Sequence, residues 1–223
     1  MFRKKCFLDI QNAKIISQSV VLVNTIKVLA PQQEINIHNP FANLCNDIVL
    51  KMIFEEQICN KNLTTPPFIN EYSLGAFTVT NDMTPSPRLA IKKQTNDKSF
   101  ADITSKVKKL IDTGSLLGKY DNVGVNYEIY FDNSQENINI TNVICKQEIS
   151  KMFSDCSIQL VAKIDSDISL NLSIADAIKD GKKIIYITAN FYHLNVGNKS
   201  LDNIISSTKF YKVLEDKIKE IKF

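Results

Sequence analysis

The stretch that decides the fold is 158-IQLVAKIDSDISLNLSIADAIKDGKKIIYITANFYHL-194. Apolar residues take every second position over 158–164 and again over 168–174, which is the period of a β-strand with one buried face. The polar turn at 165–167 joins the two runs, so they predict an antiparallel hairpin. A second turn, Asp180-Gly181, leads into residues 184–194, where apolar side chains occupy both faces. We expect this third strand to lie inside the sheet.

Capped helices follow the predicted strands in both halves of the chain. After strands at Phe77–Val79 and Leu89–Ile91, Ser99 and Asp102 have the spacing of a capping box, which predicts a helix over 99–112 that ends near Gly114. After the strands of 123–131 and 158–194, Ser200 opens a second amphipathic helix. Its apolar stripe consists of Leu201, Ile204, Tyr211, Leu214, Ile218 and Ile221.

These patterns predict the α+β class, with a mainly antiparallel sheet built from hairpins and amphipathic helices packed on it. We expect one compact domain over 1–223, divided into two similar strand-then-helix halves at 1–115 and 120–223. Upstream, Lys14–Leu29 predicts one or two strands because it is rich in β-branched residues. The segment 41–58 fits a helix or a strand, and its length favours a helix capped by Asn39-Pro40 and running to about Ile58.

Composition places the chain among ordinary globular proteins. Its 223 residues are 44% hydrophobic and 23% charged, with a net charge of +3. Arginine occurs only at Arg3 and Arg88, while lysine, asparagine and isoleucine are abundant, a bias that indicates an AT-rich genome of bacterial or phage origin. We found neither a signal peptide nor an apolar run long enough to span a membrane, so we expect a cytoplasmic protein with no membrane contact.

The sequence lacks the motifs of several common chemistries. It has no Gly-x-Gly-x-x-Gly, no phosphate-binding Gly-Lys-Ser/Thr loop and no Gly-x-Ser-x-Gly. The cysteines, Cys6, Cys45, Cys59, Cys145 and Cys156, lack metal-site spacing, and we interpret them as buried, reduced thiols. Of the two histidines, His193 shares the apolar face of its strand, so we assign it to the core. We therefore expect no cofactor and no metal.

Two clusters of charged residues are candidate sites. Asp165, Asp167, Asp176 and Asp180 could present oxygens to a hard cation, although three of them occupy turn positions that aspartate favours. Between residues 88 and 109, seven basic side chains stand against only Asp97 and Asp102. We call these seven the basic region and predict that it binds a partner. It consists of Arg88, Lys92, Lys93, Lys98, Lys106, Lys108 and Lys109.

The leading hypothesis is a non-catalytic cytosolic binding protein. It would dock a protein partner, or a second copy of itself as a homodimer, through a sheet edge or the basic region. One alternative is a nucleic-acid-associated protein that uses residues 88–109. Another is a metal-dependent hydrolase that uses Asp165, Asp167 and Asp176, with Glu128 as an additional carboxylate.

Overall fold

A single antiparallel sheet organises the part of the chain that the computed structural model describes. These residues are Leu8, 12–25, 40–44, 46–63, 69–82, 86–117, 119–133, 138–140, 157–197, 199–207 and 209–221. Nine described strands lie in the order β2-β3-β4-β5-β1-β6-β9-β8-β7. Their bounds are β1 Lys14–Val23, β2 Ile58–Leu63, β3 Ile69–Leu74, β4 Phe77–Asp82, β5 Arg88–Gln94, β6 Asn122–Asp132, β7 Ser157–Lys163, β8 Ile168–Lys179 and β9 Lys182–His193.

The α+β class and the antiparallel sheet are thus confirmed. The β7–β8 hairpin forms as its alternation predicts, with Leu160 opposite Leu172. Strand β9 lies inside the sheet, between β6 and β8. At the centre, β1 pairs with β6, from Lys14 opposite Tyr130 to Val23 opposite Asn122. This pairing joins a strand near the beginning of the sequence to one in its middle, which no local pattern reveals.

The described helices cover one face of the sheet, which we call the helix face. Phe100, at the start of the long helix, lies 4.9 Å from the Tyr127 ring of β6, and Phe210 lies 4.9 Å from the Phe191 ring of β9. Burial of each such side chain stabilises the fold by about 1.5–3 kcal/mol. The helices are α1 Asp47–Phe54, α2 Ala101–Gly114, α3 Leu201–Ser207 and α4 Phe210–Glu220, with a 3₁₀ turn at Ala42–Leu44. None of them is long and apolar enough to cross a membrane.

The segment 41–58 is helical as favoured, but its boundaries differ from those predicted. Helix α1 begins after Asn46, whose side chain accepts a hydrogen bond from Val49 N at 2.9 Å, and it ends at Phe54. Ile58 is already the first residue of β2. Strand β2 escaped prediction because its sequence, ICNKNL, does not alternate between apolar and polar residues, and the side chains of 59–62 are exposed. Strand β3, which pairs with it, was not predicted either.

The predicted helix starts also need correction. Helix α2 begins two residues after Ser99, whose hydroxyl accepts a hydrogen bond from Ala101 N at 3.2 Å, while Asp102 binds Lys93 instead of closing a capping box. Ser200 does cap α3, accepting from Asn203 N at 3.3 Å. The predicted C-terminal helix is two helices, because Lys209 leaves the helical conformation (φ −74°, ψ 65°) after the weak helix formers at 206–208.

The expectation of buried cysteines is wrong for Cys59, which is an exposed free thiol on β2. The other four cysteines lie outside the described residues.

Candidate functional site

The basic region does not form one continuous patch. The alternation of β5 sends Lys92 to the face opposite the helices, where it contacts Glu128 of β6, and Lys93 to the helix face, where it contacts Asp102 of α2. Arg88 begins the same strand, opposite Asp82 of β4. The remaining lysines lie on or just before α2. The structure therefore divides the seven residues between the two sides of the sheet.

Intramolecular partners occupy most of these charges. Lys106 is only 15% exposed and donates to the carbonyl of Ile53 at 3.0 Å, close to Glu55. Lys109 donates to the same carboxylate at 3.0 Å. Lys108 donates to Asp202 of α3 at 2.5 Å, and Lys98 lies 4.5 Å above the Tyr211 ring. Positive charge in the sequence is therefore largely balanced within the fold.

The four aspartates do not come together. Asp165 and Asp167 lie in the β7–β8 turn, where Asp165 accepts a hydrogen bond from Ser166 N at 2.6 Å. Asp176 lies near the other end of β8 and accepts from Ile140 N at 2.9 Å, and Asp180 follows in the β8–β9 turn. Eight residues of strand separate Ile168 from Asp176, about 26 Å at ~3.3 Å per residue. Within the described residues, no three His, Cys, Asp or Glu side chains are placed to hold a metal ion.

The face of the sheet opposite the helices, which we call the polar face, carries a hydrogen-bonded cluster at its centre. Glu128 accepts from Lys92 Nζ and from Ser17 Oγ, both at 2.7 Å. Tyr186 of β9 also donates to this carboxylate. Glu128 alternates with the buried residues Tyr127 and Ile129 along β6, but its partners come from three other strands, which no sequence pattern reveals.

The cluster sets the charge state of its members. Burial by itself would raise the pKa of Glu128, but the hydrogen bonds from Lys92 and Ser17 and the lysine charge outweigh it and lower that pKa. Burial, together with the neighbouring carboxylate, raises the pKa of Tyr186 to about 12. At neutral pH the cluster thus holds an ionised glutamate beside an un-ionised tyrosine.

Amide side chains form the next row of the polar face. Asn126 donates to Ser19 at 3.0 Å, and Asn190 lies opposite Asn126 across the β6–β9 pair. Within the described residues the Asn190 Oδ1 atom is buried without a hydrogen-bond partner. A Cβ atom at Gly124 would lie 3.6 Å from that oxygen, so this glycine leaves space beside it. This row of the polar face, beside the charged cluster, therefore offers neutral hydrogen-bonding groups.

The two outer strands of the described sheet differ in how their free edges are protected. Strand β2 has a register shift between Ile58 and Asn60, and Lys61 in its middle binds Asp47 at 3.0 Å. A bulge and a central lysine are features that prevent a strand from pairing with another chain.

Strand β7 lacks these protections. Its pairing with β8 runs without interruption over seven residues, its only charged residue is the terminal Lys163, and the Val161 side chain is 75% exposed. At the adjoining turn, Ile164 N donates to Ile168 O at 2.9 Å, so the even-numbered residues of β7 direct their backbone groups to β8. Ser157, Gln159, Val161 and Lys163 therefore direct theirs outward, where no described strand lies.

His193 is buried in the core, at the end of β9, with 5% exposure. Its ring lies 5.6 Å from the Phe210 ring at 79°. Burial, followed by the charge of Lys199, lowers the pKa of His193, so the imidazole is neutral at neutral pH.

The chain matches no protein-family model and no curated protein sequence. The candidate surfaces therefore stand on their geometry alone.

Proposed function

We propose that this chain is a non-catalytic, cytosolic binding protein that docks a β-strand of a protein partner on the outer edge of β7. The observation that carries the proposal is the unprotected edge of β7, with its outward amides and exposed Val161. A strand added there forms main-chain hydrogen bonds with an existing sheet, which supply affinity without a deep pocket.

The strand order is a second argument for an added strand at the outer edge of β7. Outward from β1 the strands run β5, β4, β3, β2, and outward from β6 they run β9, β8, β7. We infer two similar halves, related by an approximate two-fold axis between β1 and β6, in which β7 corresponds to β3. Strand β2 pairs with the outer edge of β3, from Ile58 opposite Leu74 to Leu63 opposite Asn70. Within the described residues, the corresponding edge of β7 has no neighbouring strand.

A second copy of the chain supplies the simplest partner strand. Two β7 strands related by a two-fold axis at Val161 run antiparallel, which is the symmetry of most homodimers. This register places the two exposed valines side by side and keeps the two Lys163 side chains apart, each opposite Gln159 of the other copy. The result is a continuous sheet through both copies.

The test is the oligomeric state of three proteins, measured by size-exclusion chromatography with light scattering at tens of micromolar. The first is the unaltered chain, for which we expect a dimer. Val161→Pro removes an amide that points outward and leaves the β8 hydrogen bonds in place, so we expect a folded monomer. Val161→Thr keeps the amide and the branched shape, and we expect it to remain a dimer.

These measurements distinguish self-association from strand pairing with another protein. An unaltered chain that is monomeric contradicts self-association. A pull-down tests the other partners. If Val161→Pro captures the same proteins as the unaltered chain, the proposal that partners pair with the edge of β7 is wrong. Far-UV circular dichroism of Val161→Pro checks that any lost association does not come from unfolding.

Nucleic-acid binding by the basic region has less support. Lys92, Lys93, Lys106, Lys108 and Lys109 all have carboxylate partners within the chain. Nucleic acid would have to displace these carboxylates, and its affinity would fall steeply with salt.

The metal-dependent hydrolase has less support still. Asp165 and Asp167 lie just before the start of β8, whereas Asp176 lies near its other end.

A further inference from the structure

His193 is a titratable group enclosed between the sheet and the helices α3 and α4. Its Nε2 atom has almost no accessible surface and no hydrogen-bond partner among the described residues. The Phe210 ring of α4 packs against it, and Asn203 and Ile204 of α3 line the small cavity that it borders, so both helices face it with uncharged residues. A neutral ring fits this enclosure. A protonated ring does not, because both of its nitrogens are donors that need an acceptor or water.

The charged groups around the ring do not offset this cost. Asp165 and Asp167 of the β7–β8 turn and Lys199 of the loop before α3 line the same cavity. Burial, followed by the charge of Lys199, lowers the pKa of His193, so the two carboxylates do not compensate. The neighbouring strands place two apolar residues opposite His193, Val123 on β6 and Ile168 on β8.

The sheet and the helices differ in how they are held beside this ring. Strand β9 is paired with β6 on one side and with β8 on the other. The loop that follows is fixed by backbone hydrogen bonds, as from Val196 N to Asp121 O at 2.8 Å. Beyond Gly197, whose φ is +54°, α3 and α4 contact the core through side chains, including Leu214 and Ile218. The helices are therefore the part that can move away and admit water to the ring.

We propose that His193 is a pH-sensitive switch: when its ring takes up a proton from solvent, α3 and α4 separate from the sheet while the strands stay paired. Just below pH 6.5, the ordinary pKa of histidine, the open form holds this proton and the closed form does not. Acid therefore favours the open form. Opening uncovers apolar side chains of the helix face, such as Phe191. This switch is independent of strand docking at the edge of β7.

The test is hydrogen–deuterium exchange of the full chain, read by mass spectrometry at pH 7.5 and pH 5.0 and corrected for the intrinsic pH dependence of exchange. We expect residues 201–221 to be at least about tenfold less protected than 122–132 at both pH values, because the helices open while the strands stay paired. One proton shifts the open-to-closed ratio by up to tenfold per pH unit below about pH 6.5. Protection of 201–221 should thus fall by about 5- to 30-fold from pH 7.5 to pH 5.0.

Two variants assign the effect to this ring. His193→Phe keeps an aromatic ring against Phe210 but cannot take up a proton, so we expect protection of 201–221 to change by less than about twofold over the same pH range. His38→Gln removes the other histidine of the chain and should behave as the unaltered chain does.

Nuclear magnetic resonance of the imidazole groups follows the proton directly. The chain has two histidines, so His38→Gln assigns both signals. We expect the His193 signal to titrate at a lower pH than histidine in the urea-unfolded chain. This measurement needs no change at position 193.

The switch is wrong if protection of 201–221 does not depend on pH, or if it equals that of 122–132, since the helices would then open only when the whole chain unfolds. It is also wrong if His193→Phe loses as much protection in acid as the unaltered chain does. A His193 signal that titrates as in the unfolded chain contradicts it independently.

Discussion

At the scale of residues, the Glu128 cluster is the feature whose stability depends most directly on charge. The carboxylate is only partly exposed and receives hydrogen bonds from Lys92, Ser17 and Tyr186. Removing the negative charge leaves these donors aimed at a weaker acceptor. Lys92 keeps contact with water, because 36% of its side chain is exposed, which limits the cost.

We therefore predict that Glu128→Gln lowers the free energy of unfolding by about 1–2 kcal/mol at neutral pH. Urea denaturation monitored by circular dichroism measures the change. Glu56→Gln, at a surface position before β2, is the matched control and should change stability by less than about 0.5 kcal/mol. Equal effects of the two variants would show that the cluster does not stabilise the sheet.

The pH dependence of stability, compared between the unaltered chain and Glu128→Gln, gives a second check. Because folding lowers the pKa of Glu128, its contribution is complete above the pKa of the unfolded chain and is lost as pH falls through the folded value. The unaltered chain should thus lose more stability than Glu128→Gln between about pH 6 and pH 3, so that the two curves converge. Parallel curves would contradict this assignment.

Single residues also show why the candidate sites were only partly predictable. Alternation of apolar and polar residues along β6 is enough to place Glu128 on the face opposite the core residues of that strand. It could not predict that Glu55 and Asp202 would pair with Lys109 and Lys108, because these partners come from separate segments of the chain. Charge counted along the sequence therefore overestimated the free charge of the basic region.

At the scale of elements, the end of α2 illustrates close packing between a helix and the 3₁₀ turn. Gly114 is the last residue of α2, and an added Cβ would lie 2.7 Å and 2.9 Å from the two methyl carbons of Leu44. Leu44 is itself buried in the core. The glycine is thus needed for the space that it leaves.

We predict that Gly114→Ala destabilises the protein by about 1–3 kcal/mol, even though alanine favours helices, because Leu44 must move. Thr113→Ala, one residue earlier and exposed, should change stability by less than about 0.5 kcal/mol. Thermal unfolding of both variants distinguishes packing from helix propensity. A stabilised Gly114→Ala would mean that the turn moves aside at little cost.

Elements were predictable where periodicity and turn residues agreed. Strands β7 and β8 alternate clearly and are joined by an Asp-rich turn, and the Asp180-Gly181 turn separates β8 from β9. Strand β2 lacked this signal because an edge strand with exposed side chains has no apolar face to reveal it. The break between α3 and α4 was missed because the apolar stripe continues across it, from Ile204 to Tyr211.

At the scale of the whole molecule, the centre of the sheet brings together a strand from the beginning of the sequence and one from its middle. Strands β1 and β6 pair along their lengths, and the Tyr127 ring on β6 contacts Phe100 of the first half and Tyr211 of the second. One cluster of buried apolar residues extends from Leu8 to Ile218. Residues on either side of the sheet's centre therefore belong to the same core.

We predict that the chain unfolds in one cooperative transition. Far-UV circular dichroism, which reports the backbone, and tyrosine fluorescence, which is usable because the chain lacks tryptophan, should give coincident urea curves. Two separated transitions would show that the halves are independent domains.

The position of β1 has a further consequence during synthesis. One side of β1 can pair as soon as residues 88–94 have emerged, but its other side must wait for Asn122–Asp132. At about 5–20 residues per second, residues 95–132 take about 2–8 seconds to translate. For that interval the future centre of the sheet is an edge on the ribosome, open to the strands of neighbouring nascent chains.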